Sequence, residues 1–280
     1  MTGKLARRLG LFAAAFAVFA VLATASAVTA VSSGADAPRF KALVFSKTAA
    51  FRHASIPTAV AAVQKLGAEH NFAVDATEDA TAFNDVNLAQ YDVVIFLMTT
   101  GDVLNDTQQG AFERYIEAGG GYTGIHSASD TEYDWPWYGG LVGAYFRDHP
   151  GVAGVNQQFQ TATMKVAGHS NPANALLPNR WTRVEEWYNF RTNPRPNVRV
   201  LTTVDEKTYD PRGYSVPGGS PGMGEDHPIS WCHAYDGGRA FYTALGHSDS
   251  AYSEPLILAH ILGGIEETAG VAKFNCDPDS

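Results

Sequence analysis

Short apolar runs alternate with amphipathic segments along the first half of the chain. The runs are almost continuously apolar and only a few residues long, which is typical of strands that are buried on both faces. Four of them predict strands, at 40–45, 72–74, 91–98 and 122–126. Between these runs, apolar residues recur at helical spacing after Pro57, and Asn105 or Asp106 can cap a further helix that ends at the glycines of 119–121. Strands that alternate with helices predict a parallel sheet with helices on both faces.

The second half is less regular and richer in strands. Five further strands are predicted, at 159–166, 181–190, 198–204, 229–235 and 239–245. Asp236-Gly237-Gly238 is typical of a tight hairpin turn between the last two, and a closing helix is expected from Ser253 to Thr268. No linker is long enough to divide the chain, so residues 39–270 are interpreted as one α/β domain with extra strands in its C-terminal half, followed by a tail at 271–280.

The N-terminus has the pattern of an export signal. Lys4, Arg7 and Arg8 precede the apolar segment 9–23, and small residues follow at 24–30. We therefore predict a signal peptide over residues 1–30, cleaved after Ala27 or Ala30, a spacer over 31–38, and a secreted protein with no membrane segment once the signal is removed. An uncleaved membrane anchor is the alternative, and the sequence does not separate general from twin-arginine export.

Composition narrows the choice of partners. The 280 residues carry 20 Lys and Arg against 29 Asp and Glu, a formal charge of −9. Neither a basic stripe nor a run of Lys and Arg occurs, so we expect no nucleic-acid partner. A homo-oligomer remains compatible with this composition. The two cysteines, Cys232 and Cys276, are expected either to pair after export or to remain as one buried and one frayed thiol.

Three histidines follow predicted strands: His53, His126 and His247. Ligands of parallel sheets bind beyond the carboxyl ends of the strands, so these imidazoles are expected to meet there, together with Glu186. Such a set suits proton transfer near neutral pH or a divalent transition metal such as zinc, and the spacing matches no short metal motif. The sequence does not separate proton transfer from metal binding. A structural role for each histidine is the alternative, since a lone histidine after a strand is more often a hydrogen-bonded structural residue.

Several segments together resemble the ThuA-like (trehalose-utilisation) family: ALVF at 42–45, FRH at 51–53, YDVVI at 91–95, GGGYTGIH at 119–126, EEWY at 185–188, PISW at 228–231, and GRAFY leading to LGH over 238–247. The resemblance implies a class I glutamine-amidotransferase-like, flavodoxin-like fold and a role in disaccharide or oxidised-sugar metabolism. Amidotransferases of this fold carry a nucleophilic cysteine in Gly-x-Cys-x-Gly after this strand. Here that position is His126, and imidazole cannot replace a thiolate in forming a stable thioester, so glutamine hydrolysis is expected to be absent.

The expected function is that of a secreted enzyme acting on a disaccharide, a glycoside or a keto-sugar derivative. His126 and His247 would exchange protons, Glu186 would orient them or act as a base, and His53 would hold the substrate or a metal. Substrate contacts are expected from Arg52, Asp130, Trp137, Tyr188 and His227, with the loop at 135–138 as an aromatic wall. The alternatives are a non-catalytic carbohydrate-binding module on the same fold and a metal-dependent hydrolase of another substrate.

Overall fold

The computed structural model describes residues 1–2 and 37–278. The predicted signal peptide and most of the spacer lie outside the described residues. Within the described part of the chain, no helix is long and apolar enough to cross a membrane.

Eleven strands and five α-helices are found in the described residues. The strands are β1 Lys41–Phe45, β2 Ala73–Thr77, β3 Val93–Leu97, β4 Gly121–Ile125, β5 Phe146–Asp148, β6 Phe159–Val166, β7 Arg180–Glu186, β8 Asn189–Phe190, β9 Arg199–Val204, β10 Pro228–Tyr235 and β11 Gly238–Thr243. The helices are α1 Ile56–His70, α2 Asp85–Leu88, α3 Asp106–Glu117, α4 Pro136–Val142 and α5 Pro255–Thr268.

Nine of the strands form one mixed sheet in the order β2-β1-β3-β4-β11-β10-β9-β6-β7. The first five are parallel and follow the flavodoxin-like order, which confirms the predicted α/β class. The other four join through antiparallel pairings and supply the extra strands of the C-terminal half. Strands β5 and β8 form a separate antiparallel pair.

Local sequence explains where several elements begin and pack. Asn105, not Asp106, caps α3, and its side chain and that of Gln108 form a reciprocal capping box. Pro57 lies in the first turn of α1, where no backbone N–H is needed. A Cβ atom at Gly121 would lie 2.3 Å from the carbonyl oxygen of Thr268, so glycine allows α5 to approach β4 directly.

The structure corrects two predicted elements. The strand expected over 181–190 is divided into β7 and β8, because the chain leaves the sheet at Trp187 and Tyr188. The aromatic wall loop expected at 135–138 begins helix α4, since Pro136 opens that helix and Trp135 and Tyr138 are buried in the core. The tail is fastened to the domain by a disulfide between Cys232, in β10, and Cys276.

Candidate functional site

Four separate segments place His53, His126, Glu186 and His247 together. One nitrogen or oxygen atom from each side chain lies within 4.8 Å of those of the other three. The three histidines follow β1, β4 and β11, whose carboxyl ends share one edge of the parallel half. Glu186 ends β7, four strand spacings from β11, which would be about 19 Å in a flat sheet. Because its carboxylate nevertheless contacts His247, the antiparallel half must curl back over that edge.

His126 occupies the sharp turn between β4 and the helical turn that follows. Its φ angle is 53°, in the left-handed region that side chains other than glycine seldom adopt. The imidazole is fully buried, and its Nδ1 lies 2.8 Å from the carbonyl oxygen of Ala244. A carbonyl only accepts, so Nδ1 carries the proton, and Nε2 is the nitrogen available to the site.

The atoms that His126, His247 and Glu186 present to the site form a compact triangle. His126 Nε2 is 3.1 Å from His247 Nδ1 and 3.3 Å from Glu186 Oε2. His247 Nδ1 is 2.8 Å from the same carboxylate oxygen. The Tyr188 hydroxyl adds a fourth contact, 2.9 Å from His126 Nε2.

Glu186 is a buried carboxylate whose two oxygens have different partners. Oε2 contacts His126 and His247, whereas Oε1 accepts from Gln158 and lies 3.2 Å from His149 Nε2. Burial alone would raise the pKa of Glu186, but its contacts with His126 and His247 outweigh burial and hold the pKa well below its usual range. The carboxylate is therefore ionised at neutral pH.

His53 completes the cluster as a neutral imidazole. Burial, together with the neighbouring imidazoles of His126 and His247, lowers the pKa of His53 to about 3. Its ring meets each of those two rings edge-on at a centroid distance of 4.8 Å, and Nδ1 lies 3.4 Å from the Ser127 hydroxyl. At neutral pH it can bind a polar ligand or a metal ion without first losing a proton.

A pocket of about 200 Å³ opens over this cluster. It is lined by Phe51, His53, Asp130, Phe146, His149, Gln158, Glu186, Tyr188, Tyr214 and His247. His149 and His247 remain partly exposed, and Phe51 is 64% exposed, so the pocket reaches solvent. Burial raises the pKa of Asp130, although the Tyr133 hydroxyl donates to it at 2.6 Å.

Of the five residues expected to contact substrate, Asp130 and Tyr188 line this pocket, and the other three do not. The guanidinium of Arg52 is paired with both carboxylate oxygens of Glu78, at 2.7 and 3.0 Å. Trp137 stacks on Trp135, and its indole N–H donates to Asp236.

His227 is the third such residue. It is fully buried, with Nε2 2.7 Å from the Tyr188 carbonyl and Nδ1 2.8 Å from Glu206. Because its ring donates to that carbonyl, it supports the segment that carries Tyr188 from behind.

Sequence analysis missed half of the ten residues that line the pocket. Phe146, His149, Gln158 and Tyr214 come from a three-residue strand and from irregular segments on either side of β6 to β9. No hydrophobic periodicity marks such segments. A histidine and a glutamine among polar residues give no indication that they face a buried carboxylate.

Comparison with known proteins was consistent with this architecture. Two solved structures of putative ThuA-like proteins match most of the chain. One, from Bacteroides uniformis ATCC 8492, is 25% identical, covers 83% of this chain and 92% of that chain, and has a TM-score of 0.66. The other, from Parabacteroides merdae ATCC 43184, is 20% identical, covers 83% and 90%, and has a TM-score of 0.63.

More distant similarity extends to a cold-adapted β-galactosidase from Rahnella sp. R3. That structure is 14% identical, with 85% of this chain and 32% of that chain covered and a TM-score of 0.50, so it shows a shared fold alone. A search of curated protein sequences found no significant match. The family model described as "ThuA: Trehalose utilisation" matches residues 41–266, and the chain therefore belongs to the ThuA family.

Proposed function

We propose that this protein is a secreted enzyme that acts on a disaccharide, a glycoside or a keto-sugar derivative, and that it has no glutamine amidotransferase activity. Membership of the ThuA family supports a carbohydrate-related role. The observation that carries the proposal is the convergence of three imidazoles and one ionised carboxylate in a pocket that also presents aromatic rings.

The cluster is arranged for proton transfer. His247 is 17% exposed and faces the pocket, so it is the imidazole that exchanges a proton with the substrate. Glu186 contacts the Nδ1 of His247 and orients its ring, as the carboxylate does in a hydrolase triad. His126 lies behind this pair with Nδ1 committed to a carbonyl, and its Nε2 receives or returns the shared proton.

The remaining polar side chains of the pocket bind and orient the sugar through hydrogen bonds. Neutral His53 forms a hydrogen bond with a substrate hydroxyl or carbonyl. Asp130, with its raised pKa, lies on the same wall and supplies a further hydrogen-bonding group. The exposed ring of Phe51 and the ring of Tyr214 present apolar faces of the kind on which sugar rings pack.

The glutamine-hydrolysing reaction lacks its nucleophile. His126 stands at the turn where an amidotransferase of this fold presents a thiolate, and both cysteines of the chain are joined in a disulfide. Incubation with glutamine is therefore expected to release no ammonia above the buffer rate.

An exported, cleaved chain is part of the proposal and has its own test. Mass spectrometry of protein from culture supernatant should show a mature N-terminus at Val28 or Val31. Intact Met1 in a membrane fraction would contradict it.

Turnover separates an enzyme from a carbohydrate-binding module. Purified protein is tested by calorimetry and product analysis against disaccharides and their keto derivatives. With a substrate identified, His126→Ala and His247→Ala should each lower turnover by about two to four orders of magnitude and change affinity by only several-fold. His169→Ala, in an exposed loop, is the matched control and should keep full activity.

A binding module would give the opposite pattern. Sugars would bind without conversion, the histidine substitutions would have no turnover to remove, and Phe51→Ala would be the damaging change. Binding without product across the whole panel would therefore overturn the enzymatic proposal in favour of the module. His247→Ala keeps the test valid if the buried His126→Ala variant fails to fold.

A further inference from the structure

We infer that His126 Nε2, His247 Nδ1 and Glu186 Oε2 are ligands of one divalent transition-metal ion of the zinc class, with His53 facing the fourth position. This inference rests on the proposed function and names a cofactor for the same pocket. A bound ion would take the place of the proton that His126, His247 and Glu186 otherwise share. The inference is tested by metal content, without any substrate. The metal inference can therefore fail while the carbohydrate activity is confirmed, and the metal can be found even if no carbohydrate activity is detected.

The first support is the size of the triangle. Two ligands on a tetrahedral ion with bonds of 2.0 to 2.1 Å lie about 3.3 Å apart. The three distances here are 3.1, 2.8 and 3.3 Å, so a modest expansion would admit an ion. Two histidines and one glutamate are also a known ligand set of catalytic zinc sites, which keep one position open for water or substrate.

The second support is the orientation of the ligands. His126 directs Nε2 to the triangle because its Nδ1–H is held by the Ala244 carbonyl, the usual outer contact of a metal-bound histidine. Gln158 and His149 hold Oε1 of Glu186, which leaves Oε2 for the triangle. The orientations of both ligands are thus fixed by groups other than the proposed ligands.

The third support is charge. Glu186 is 2% exposed, and its partners are His126, His149, His247 and Gln158, none of which carries a permanent positive charge. A buried carboxylate needs compensating positive charge. A divalent ion bound at Oε2 would supply this charge. When bound, it would polarise a sugar carbonyl or hydroxyl oxygen in the pocket.

One hydrogen bond occupies the lone pair that an ion would need. The Tyr188 hydroxyl lies 2.9 Å from His126 Nε2, and because the proton of this ring is on Nδ1, the hydroxyl donates to Nε2. An ion would take the same lone pair and displace that hydrogen bond. Tyr188→Phe should therefore retain metal, because it removes the competitor and no ligand.

The experiment measures metal content in protein purified without a histidine tag. After incubation with Zn²⁺ and dialysis, elemental analysis should find about one equivalent in the wild type. His247→Ala and Glu186→Gln should each hold less than about a tenth of an equivalent. His53→Ala should hold more than half, since His53 faces the open position, and Tyr188→Phe and His169→Ala should match the wild type.

Cobalt provides a readout that does not depend on any variant folding. Co²⁺ added to the metal-free wild type should give visible absorption bands typical of four- or five-coordinate nitrogen and oxygen ligands, saturating at one equivalent. Less than a tenth of an equivalent of zinc in the wild type, or full occupancy in folded Glu186→Gln, would overturn the inference. Proton transfer would then account for the cluster without a metal.

Discussion

The pKa values of two buried glutamates in this protein are shifted in opposite directions. Glu186, at the end of β7, is 2% exposed, and Glu267, in the last turn of α5, is fully buried. Burial acts to raise the pKa of both. Contacts with histidines nevertheless hold the pKa of Glu186 far below its usual range, whereas the pKa of Glu267 rises to about 8.

The difference lies in the hydrogen-bond donors around each carboxylate. Glu186 has partners on both oxygens, three of them imidazoles. Glu267 accepts one amide hydrogen bond from Asn171 at 2.6 Å, and its Oε1 has no hydrogen-bond partner among the residues that the structure describes. Burial by itself therefore does not determine whether a carboxyl group is ionised. The side chains that face the carboxylate decide whether it is ionised and available for chemistry, or neutral and part of the core.

The environment of Glu267 also differs from that of Glu186 because two cysteines lie beside it. Cys232, Cys276 and Glu267 also lie within 4.8 Å of one another. Their geometry would permit a metal, but the two cysteines are joined to each other, which removes both thiolates as ligands. One cluster is available for binding, and the other fastens the C-terminal tail to the sheet.

The largest expected effect is the pH dependence that Glu267 gives to stability. In the unfolded chain this carboxyl ionises above about pH 4.5, but in the folded protein it stays protonated up to about pH 8. The free energy of unfolding should therefore fall as pH rises through this window, by up to about 5 kcal/mol. Glu267→Gln should remove that slope in urea unfolding at a series of pH values.

Glu266→Gln is the matched control for this measurement. Glu266 is the neighbouring residue of α5, but it is paired with Arg39 near the surface, so the slope should persist in this variant. Equal slopes in the wild type and Glu267→Gln would show that Glu267 is ionised in the folded protein, and the contrast with Glu186 would fail.

Opening the disulfide should weaken the same region. The bond closes a loop of 44 residues, and its loss should lower the free energy of unfolding by about 4 kcal/mol on the chain-entropy estimate. Water would then reach Glu267, so Cys276→Ser should also flatten the pH slope. The wild type in reductant should behave like Cys276→Ser, and an unchanged denaturation midpoint in both would refute the expected role of this bond.

A smaller effect on stability is expected at Glu186. Glu186→Gln exchanges a charged acceptor for a neutral one of the same size and should cost about 2 kcal/mol at pH 7. Glu267→Gln at the same pH should be neutral or stabilising, because the amide imitates a carboxyl that is already protonated. Chemical denaturation of the two variants side by side measures the difference, and a Glu186→Gln variant as stable as the wild type would contradict it.

Much of the parallel half could be predicted from the sequence. Almost continuously apolar runs mark β1, β3 and β4, because a strand buried on both faces tolerates few polar residues. The carboxyl ends of parallel strands share an edge, so the positions of His53, His126 and His247 after their strands were enough to predict that they meet. The class of the fold followed from the same alternation of strands and helices.

Aromatic residues were harder to place. Trp137 is a residue type expected in a sugar-binding wall, yet it stacks on Trp135 at the start of α4 and does not line the pocket. Residue type alone does not distinguish an aromatic ring in the core from one in a cleft, since both positions favour the same large apolar side chains.

The sequence by itself determined the parallel scaffold and the three histidines that follow its strands, including His126 at the position that holds a cysteine in the amidotransferases that this chain resembles. Only the tertiary structure decided which groups surround Glu186, because β7 reaches His247 through the curl of four antiparallel strands. The positions of Gln158 and His149 likewise depend on tertiary packing, because both residues lie in irregular segments. Hydrophobic periodicity records which face of an element is buried, whereas the meeting of distant side chains depends on how whole elements pack against one another.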